Sequence, residues 1–218
     1  LVDRERFDRP IATPTFRGTA HAKWSASRIH VIGGGVLGGR FAVDAARSGA
    51  SVCVVDPDVG TLENLGTQLV EAGRAKAASI ADACDAARPG SAKGLAVDVR
   101  HVGIGSLRKA DLIVDATDDP TLALPLTLVS NGLAIPLLRV ALDGTGGTES
   151  GRVLASHGGG GRSCQLCTYS ARDLGDALPR TPCPGRGAPG RPPTLAGNAA
   201  SMVVSGVALL QAQRLIGG

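Results

Sequence analysis

"IHVIGGGVLGGR" (Ile29 to Arg40) is the stretch that decides the fold. It opens as a continuous apolar run closed by glycines, so 28–34 reads as a buried parallel strand. It then runs into "LGGRFAVDAARSG" (37–49), where Phe41 and Ala45 recur at helical spacing and Gly49 is placed to end the helix. "ASVCVVD" (50–56) reads as a second strand. Strand, glycine turn, helix and strand within roughly 30 residues make one βαβ unit, whose crossover is expected to be right-handed.

Between strand and helix, Gly33, Gly35 and Gly38 satisfy G-x-G-x-x-G in the context that motif needs. Gly33 permits the tight turn, Gly35 keeps a Cβ away from an approaching phosphate, and Gly38 lets the helix sit close to the strand. Amides at the helix start then face the phosphates. Asp56 follows Gly38 by 18 residues, at the end of the second strand, where an acid accepts from ribose hydroxyls. A dinucleotide and ATP both carry such a ribose, so these residues leave dehydrogenase and nucleotidyl transferase equally open.

Working outward, 218 residues are enough for one domain, expected to run 1–218. Residues 1–27 read as an arm or short helix outside the core, and 158–194 as a mobile Gly/Pro-rich crossover loop carrying a C-x-x-C. Aromatic residues are only 2% of the chain, so the core must be built from Val, Leu, Ile and Ala. A scattered net charge of +4 without aromatic runs argues against nucleic acid. No apolar run approaches the roughly 18 residues of a membrane span, and the charged N-terminus is unlike a signal peptide, so no membrane contact and a cytoplasmic location are expected. Five cysteines, an odd count, then point to metal, catalysis or packing before disulfides.

Further elements follow by pattern. An Ala-rich helix is expected over 71–88, ended by Pro89 and Gly90, and strands over 94–102 and 110–117. Two more strands, over 134–144 and 151–157, are expected to be antiparallel near the edge, with a helix closing 194–218. The expected fold is α/β: a Rossmann-like, mostly parallel sheet with flanking helices, antiparallel edge strands and a C-terminal helix.

"VVDPDVGTLENLGTQ" (54–68) breaks the tie. Here the chain resembles the ThiF/MoeB family of ubiquitin-activating-type adenylyltransferases, whose pattern is D-x-D-x-V-x-x-S-N-L-x-R-Q. Asp56, Asp58, Asn64, Leu65 and Gln68 fall in that register without a gap. "ERFDRPI" (5–11) is similar to the family's N-terminal R-Y-x-R-Q, which gives Arg9 the part of reaching a partner subunit's ATP. "GRAK" (73–76) is similar to G-x-P-K and makes Lys76 a phosphate contact, unless it is merely a solvated lysine of an Ala-rich helix. "VDATDDP" (114–120) resembles D-x-T-D-N and gives Asp118 a Mg²⁺ ion, unless it only caps a turn before Pro120.

The resemblance implies a homodimer that uses ATP and Mg²⁺ to adenylate the C-terminal carboxylate of a ubiquitin-like or sulfur-carrier protein or a small peptide. The residue types suit that chemistry, since two anions meet only when cations neutralise them. Cys164 and Cys167 are similar to half of the family's structural zinc site; Cys183 is the candidate third ligand and His157 or a missing tail the candidate fourth, and free or packed thiols are the alternative. Cys183 is also a candidate for the family's acyl-carrying cysteine, or a plain loop residue. Cys53 and Cys84 read as packing residues.

One departure matters: Thr67 stands where the family keeps an arginine on the phosphates, and Thr cannot supply that charge. Arg40 and Arg74 are candidate replacements. Without one, the chain is a weakened, carrier-binding relative. An NAD(P)-dependent oxidoreductase is the remaining alternative, which has no use for Asn64, Gln68 and Asp118.

Overall fold

The computed structural model describes residues 7, 16, 18–117, 119–144, 149–159, 164–168 and 197–218. Six strands form one sheet: β1 (Arg28–Ile32), β2 (Ser51–Val55), β3 (Ala92–Leu95), β4 (Leu112–Asp115), β5 (Leu137–Asp143) and β6 (Ser150–Ser156). Their order is β3-β2-β1-β4-β5-β6. All neighbours are parallel except the β5–β6 pair.

Helices α1 (Thr19–Ala26), α2 (Val36–Arg47), α3 (Lys76–Ala87) and α6 (Asn198–Gly217) share one apolar cluster with a face of the sheet. Val31, Val54, Val114 and Leu138 supply the sheet's side of it. Ile32, Val55, Ile113 and Leu137 point the other way, onto α4 (Ile104–Leu107) and α5 (Ala123–Leu133). The alternation along each strand therefore builds two cores, as a sheet covered on both faces requires. Each fully buried Val, Leu or Ile contributes about 1.5–3 kcal/mol.

The β1-turn-α2-β2 unit, the edge strand β6 and the closing helix stand as the sequence predicts, and several other elements differ. Trp24 of α1 is 0% exposed and its indole donates to Ser48 Oγ at 3.1 Å, so the second half of the N-terminal arm belongs to the core. The Ala-rich helix starts at Lys76, not at 71, because bridges Val59↔Ala75 and Gly60↔Ala72 fold 71–75 back as a loop. Strand β3 ends at Leu95 where a strand to 102 was expected. Asp98 caps a short 3-10 turn over Val99–His101, taking the Arg100 N–H at 2.8 Å, and this draws the backbone out of the ladder. Strand β5 is parallel to β4, so antiparallel pairing is confined to β6.

Helix α5 was not foreseen; its Pro125 lies in the first turn, where a missing N–H costs nothing. Contrary to the sequence reading, α6 is long and apolar enough to cross a membrane by length and composition, with 28% of that stretch buried. In this fold α6 packs along α2 and against β5 and β6.

Candidate functional site

The parallel strands deliver Asp56, Gly33 and Asp115 to one edge of the sheet. Register fixes this: Ile32 pairs with Val55 on one side and with Asp115 on the other. The next residues of β1 and β2 are then Gly33 and Asp56. Gly33 has φ 95° and lies so close to β4 that a Cβ would stand 2.8 Å from the Ala116 carbonyl oxygen. A Cβ on Gly38 would stand 1.9 Å from the Gly33 oxygen, so the helix can approach the turn only with glycine there. At Gly35 a Cβ would meet nothing within 4 Å. Gly35 is also the N-cap of α2 and offers no side-chain acceptor to the helix's first amides. The turn thus combines tight backing with an open front and amide donors.

Asp56 is buried beside this turn. The Gly34 N–H donates to its Oδ2 at 2.5 Å and the Asp58 N–H to its Oδ1 at 2.8 Å. Burial pushes its pKa above the ordinary value, and the two donors oppose that shift.

Lys76 is the first residue of α3 and is not on a solvated face. Its side chain is 12% exposed, and its Nζ lies 3.3 Å from Asp58 Oδ2. Its N–H also donates to the Asp58 carbonyl at 2.9 Å. One turn along α3, Ile80 packs on the turn glycines, within 2.8 Å of where a Gly34 Cβ would be. The structure therefore brings Gly33, Gly35, Gly38, Asp56, Asp58 and Lys76 to one neighbourhood.

Asn64 and Gln68 lie on the segment between Asp58 and Lys76. Asn64 closes a capping box with Thr61, its Oδ1 accepting the Thr61 N–H at 3.0 Å, while the Gln68 N–H donates to the Asn64 carbonyl at 2.8 Å. The Oε1 of Gln68 is buried without a donor. Asn198 at the start of α6 donates to the Gly66 carbonyl at 3.1 Å and ties this segment to the last helix.

At the other strand end Asp115 is 1% exposed and paired with Arg139 of β5 at 3.2 Å. Thr117 donates to its other oxygen through both N–H and Oγ1, at 3.1 and 2.7 Å. Asp119 is joined by Arg100, which also reaches Asp98 at 2.9 Å and Thr121 Oγ1 at 2.7 Å. Arg139 and Arg100 were not singled out from sequence, because only the strand register and the 3-10 turn reveal their partners.

Arg9, Asp118 and Cys183 lie outside the described residues. The sulfurs of Cys164 and Cys167 are 3.6 Å apart in a 3-10 turn over Gln165–Thr168. That separation suits two corners of a tetrahedron with bonds of about 2.3 Å. Among the described residues no group of three or more His, Cys, Asp or Glu forms a metal site, so the fit to zinc reaches two ligands. His157 is exposed and is not part of any such group among those residues.

Comparison with known proteins extends the same pattern beyond the site. Two maize (Zea mays) proteins, adenylyltransferase and sulfurtransferase MOCS3-1 and MOCS3-2, are each 29% identical to this chain over 174 residues. That stretch is 75% of this chain but 36% and 34% of theirs, so the chain spans about a third of the length of these curated relatives. Among solved structures, PaaA superposes with a TM-score of 0.73 at 17% identity, covering 99% of this chain and 66% of its own. Escherichia coli MccB in complex with AMPCPP and MccA gives 0.70 at 18%, covering 91% and 58%. These likenesses are of fold. A family model described as the ThiF family matches residues 7–217, from the N-terminal arm through the sheet to the last helix, and by that match this chain belongs to the ThiF family.

Proposed function

We propose that this chain is an adenylyltransferase that activates the C-terminal carboxylate of a small carrier protein or peptide. The observation that carries the proposal is the buried Asp56 set against an open glycine turn in a ThiF-family chain. An ATP ribose would donate to Asp56, and its phosphates would meet the first amides of α2. Relatives named adenylyltransferases, and MccB structures holding ATP or AMPCPP with MccA, support this choice over the NAD(P) alternative.

In the reaction the carboxylate oxygen attacks the α-phosphorus and pyrophosphate leaves with the electrons of the broken P–O bond, giving an acyl-adenylate. The chain's contribution is position and charge. Lys76 is held near the turn by Asp58, ready to exchange that partner for a phosphate. Arg9 of a second copy would add a further cation. Asp118 would be the protein ligand of a magnesium ion, which would neutralise charge on the ATP phosphates. A structural zinc on Cys164 and Cys167 would draw its other ligands from beyond the described residues, with Cys183 the first candidate; Cys183 is also the candidate acyl acceptor. A homodimer would cover the exposed stripe Met202, Val203, Val207 and Leu210 on α6. A cytoplasmic setting, with ATP and reduced thiols, belongs to the same reading.

Thr67 favours a second reading, a carrier-docking relative with weakened catalysis. Magnesium-dependent exchange of labelled pyrophosphate into ATP, run with candidate carrier peptides, separates the two. Exchange that requires a peptide and disappears in Asp118→Ala is the expected result. ATP binding without exchange for any peptide would favour docking.

A further inference from the structure

Most cations near the glycine turn are already committed. Lys76 is held by Asp58 at 3.3 Å and Arg139 by Asp115 at 3.2 Å. Arg74, one candidate for the charge missing at Thr67, is taken twice, by Glu71 at 2.9 Å and by Asp82 at 2.5 Å. Releasing it would break two ion pairs.

Arg40 is different. It lies on α2 one turn after Val36, the helix's first residue, so it stands above the glycine turn on the helix's outer stripe. Side chains of a helix lean toward its N-terminus, so from this position an arginine has the turn within its reach. The acid one turn further on, Asp44, pairs with Arg47 at 3.6 Å instead. Among the described residues no carboxylate lies within ion-pair distance of Arg40, and its buried Nε has no acceptor. A buried N–H without a partner is costly and calls for a group to fill it, a water, an ion or a ligand. Gln68 Oε1 is the complementary case, a buried acceptor without a donor. ATP carries both missing partners: phosphate oxygens that accept, and ribose or adenine groups that donate.

We propose that Arg40 is a phosphate-binding residue of the nucleotide site and supplies the charge that Thr67 lacks. The assignment rests on the ATP reading above. A guanidinium suits the task because it offers paired donors to phosphate oxygens and stays charged at any working pH. It reaches the phosphates from the helix, whereas an arginine at position 67 would reach them from the segment after β2.

The test compares ATP with adenosine, which has the ribose and base and no phosphate. Calorimetric titration of the folded full chain is run on wild type, Arg40→Met, Arg40→Lys, and Arg40→Met combined with Thr67→Arg. In Arg40→Met, ATP affinity should fall on the order of tenfold to a hundredfold while adenosine affinity stays within about twofold. Arg40→Lys should keep part of the ATP affinity and Thr67→Arg should restore it. An unchanged ATP affinity in Arg40→Met overturns the assignment. So does an equal loss for ATP and adenosine, which marks a residue that only shapes the helix. If wild type binds neither compound, the nucleotide reading itself fails, and the assignment goes with it.

Discussion

Two aspartates end the strands on either side of β1, and they deal with burial in opposite ways. Asp56 and Asp115 are 6% and 1% exposed, and burial raises the pKa of each. Asp115 is answered by the Arg139 guanidinium and the Thr117 hydroxyl, a cation and a side chain fixed by the neighbouring strand and loop. Asp56 is answered by two backbone amides and by no cation at bonding distance among the described residues. A carboxylate with its own counter-ion is part of the scaffold. One held only by amides keeps negative charge for an incoming donor.

The sharpest way to test that contrast is to remove the counter-ion. Arg139→Met leaves a buried charge unpaired and should cost about 3–5 kcal/mol of stability, read from denaturant unfolding. Adding Asp115→Asn to the same chain should recover much of the loss. If Arg139→Met unfolds like wild type, the scaffold role of this pair is wrong.

Asp56→Asn should cost less in stability, about 1–3 kcal/mol, because one amide donor is left without an acceptor. Its main effect falls on ligand affinity. The pH dependence sharpens the point. The raised pKa means the folded state holds its proton more tightly, so this group favours folding most below the ordinary value of 3.8 and less as pH rises through the folded value. ATP binding should run the other way and weaken as pH falls toward that raised pKa, since a protonated Asp56 loses acceptor capacity. Affinity of Asp56→Asn should be flat over the same range; a wild-type profile equally flat would remove Asp56 from the ribose site.

The smallest expected stability effect belongs to Lys76→Met. Asp58 is 65% exposed, so the pair behaves nearly as a surface ion pair, contributing about 0.2–1 kcal/mol. Pyrophosphate exchange should nevertheless collapse in this variant. A large loss of stability with little loss of exchange would make Lys76 a scaffold residue, like Arg139.

The same contrast explains what could be read without coordinates. The Asp56 side was legible because its signals are local: strand, glycine turn, helix and strand follow within one unit, and the acid closes it. Gly33, Gly35 and Gly38 met the spacing rule, and at Gly33 and Gly38 the positions a Cβ would take show why. The Asp115 side depends on partners far apart in sequence, since Arg139 meets Asp115 only once β4 and β5 are in register. Strand β3 was misplaced because Asp98 gives the backbone an alternative to the ladder. Helix α5 was missed because its apolar residues run nearly all round and Pro125 looks like a breaker unless the helix start is known. Asp58 and Lys76 were named separately, but that they pair across the segment between them required the fold.

Trp24 has a use beyond packing. It is the chain's single tryptophan, fully enclosed on α1, and its indole hydrogen-bonds to Ser48 just past the end of α2. The protein therefore carries one indole fluorophore, whose surroundings change when α1 and α2 separate. Excited at the red edge of indole absorption, where adenine is transparent, Trp24 should emit at short wavelength in the folded chain and shift to the red on unfolding. Its spectrum reports the integrity of the helix that bears the glycine turn, with nucleotide present or absent and without any added label.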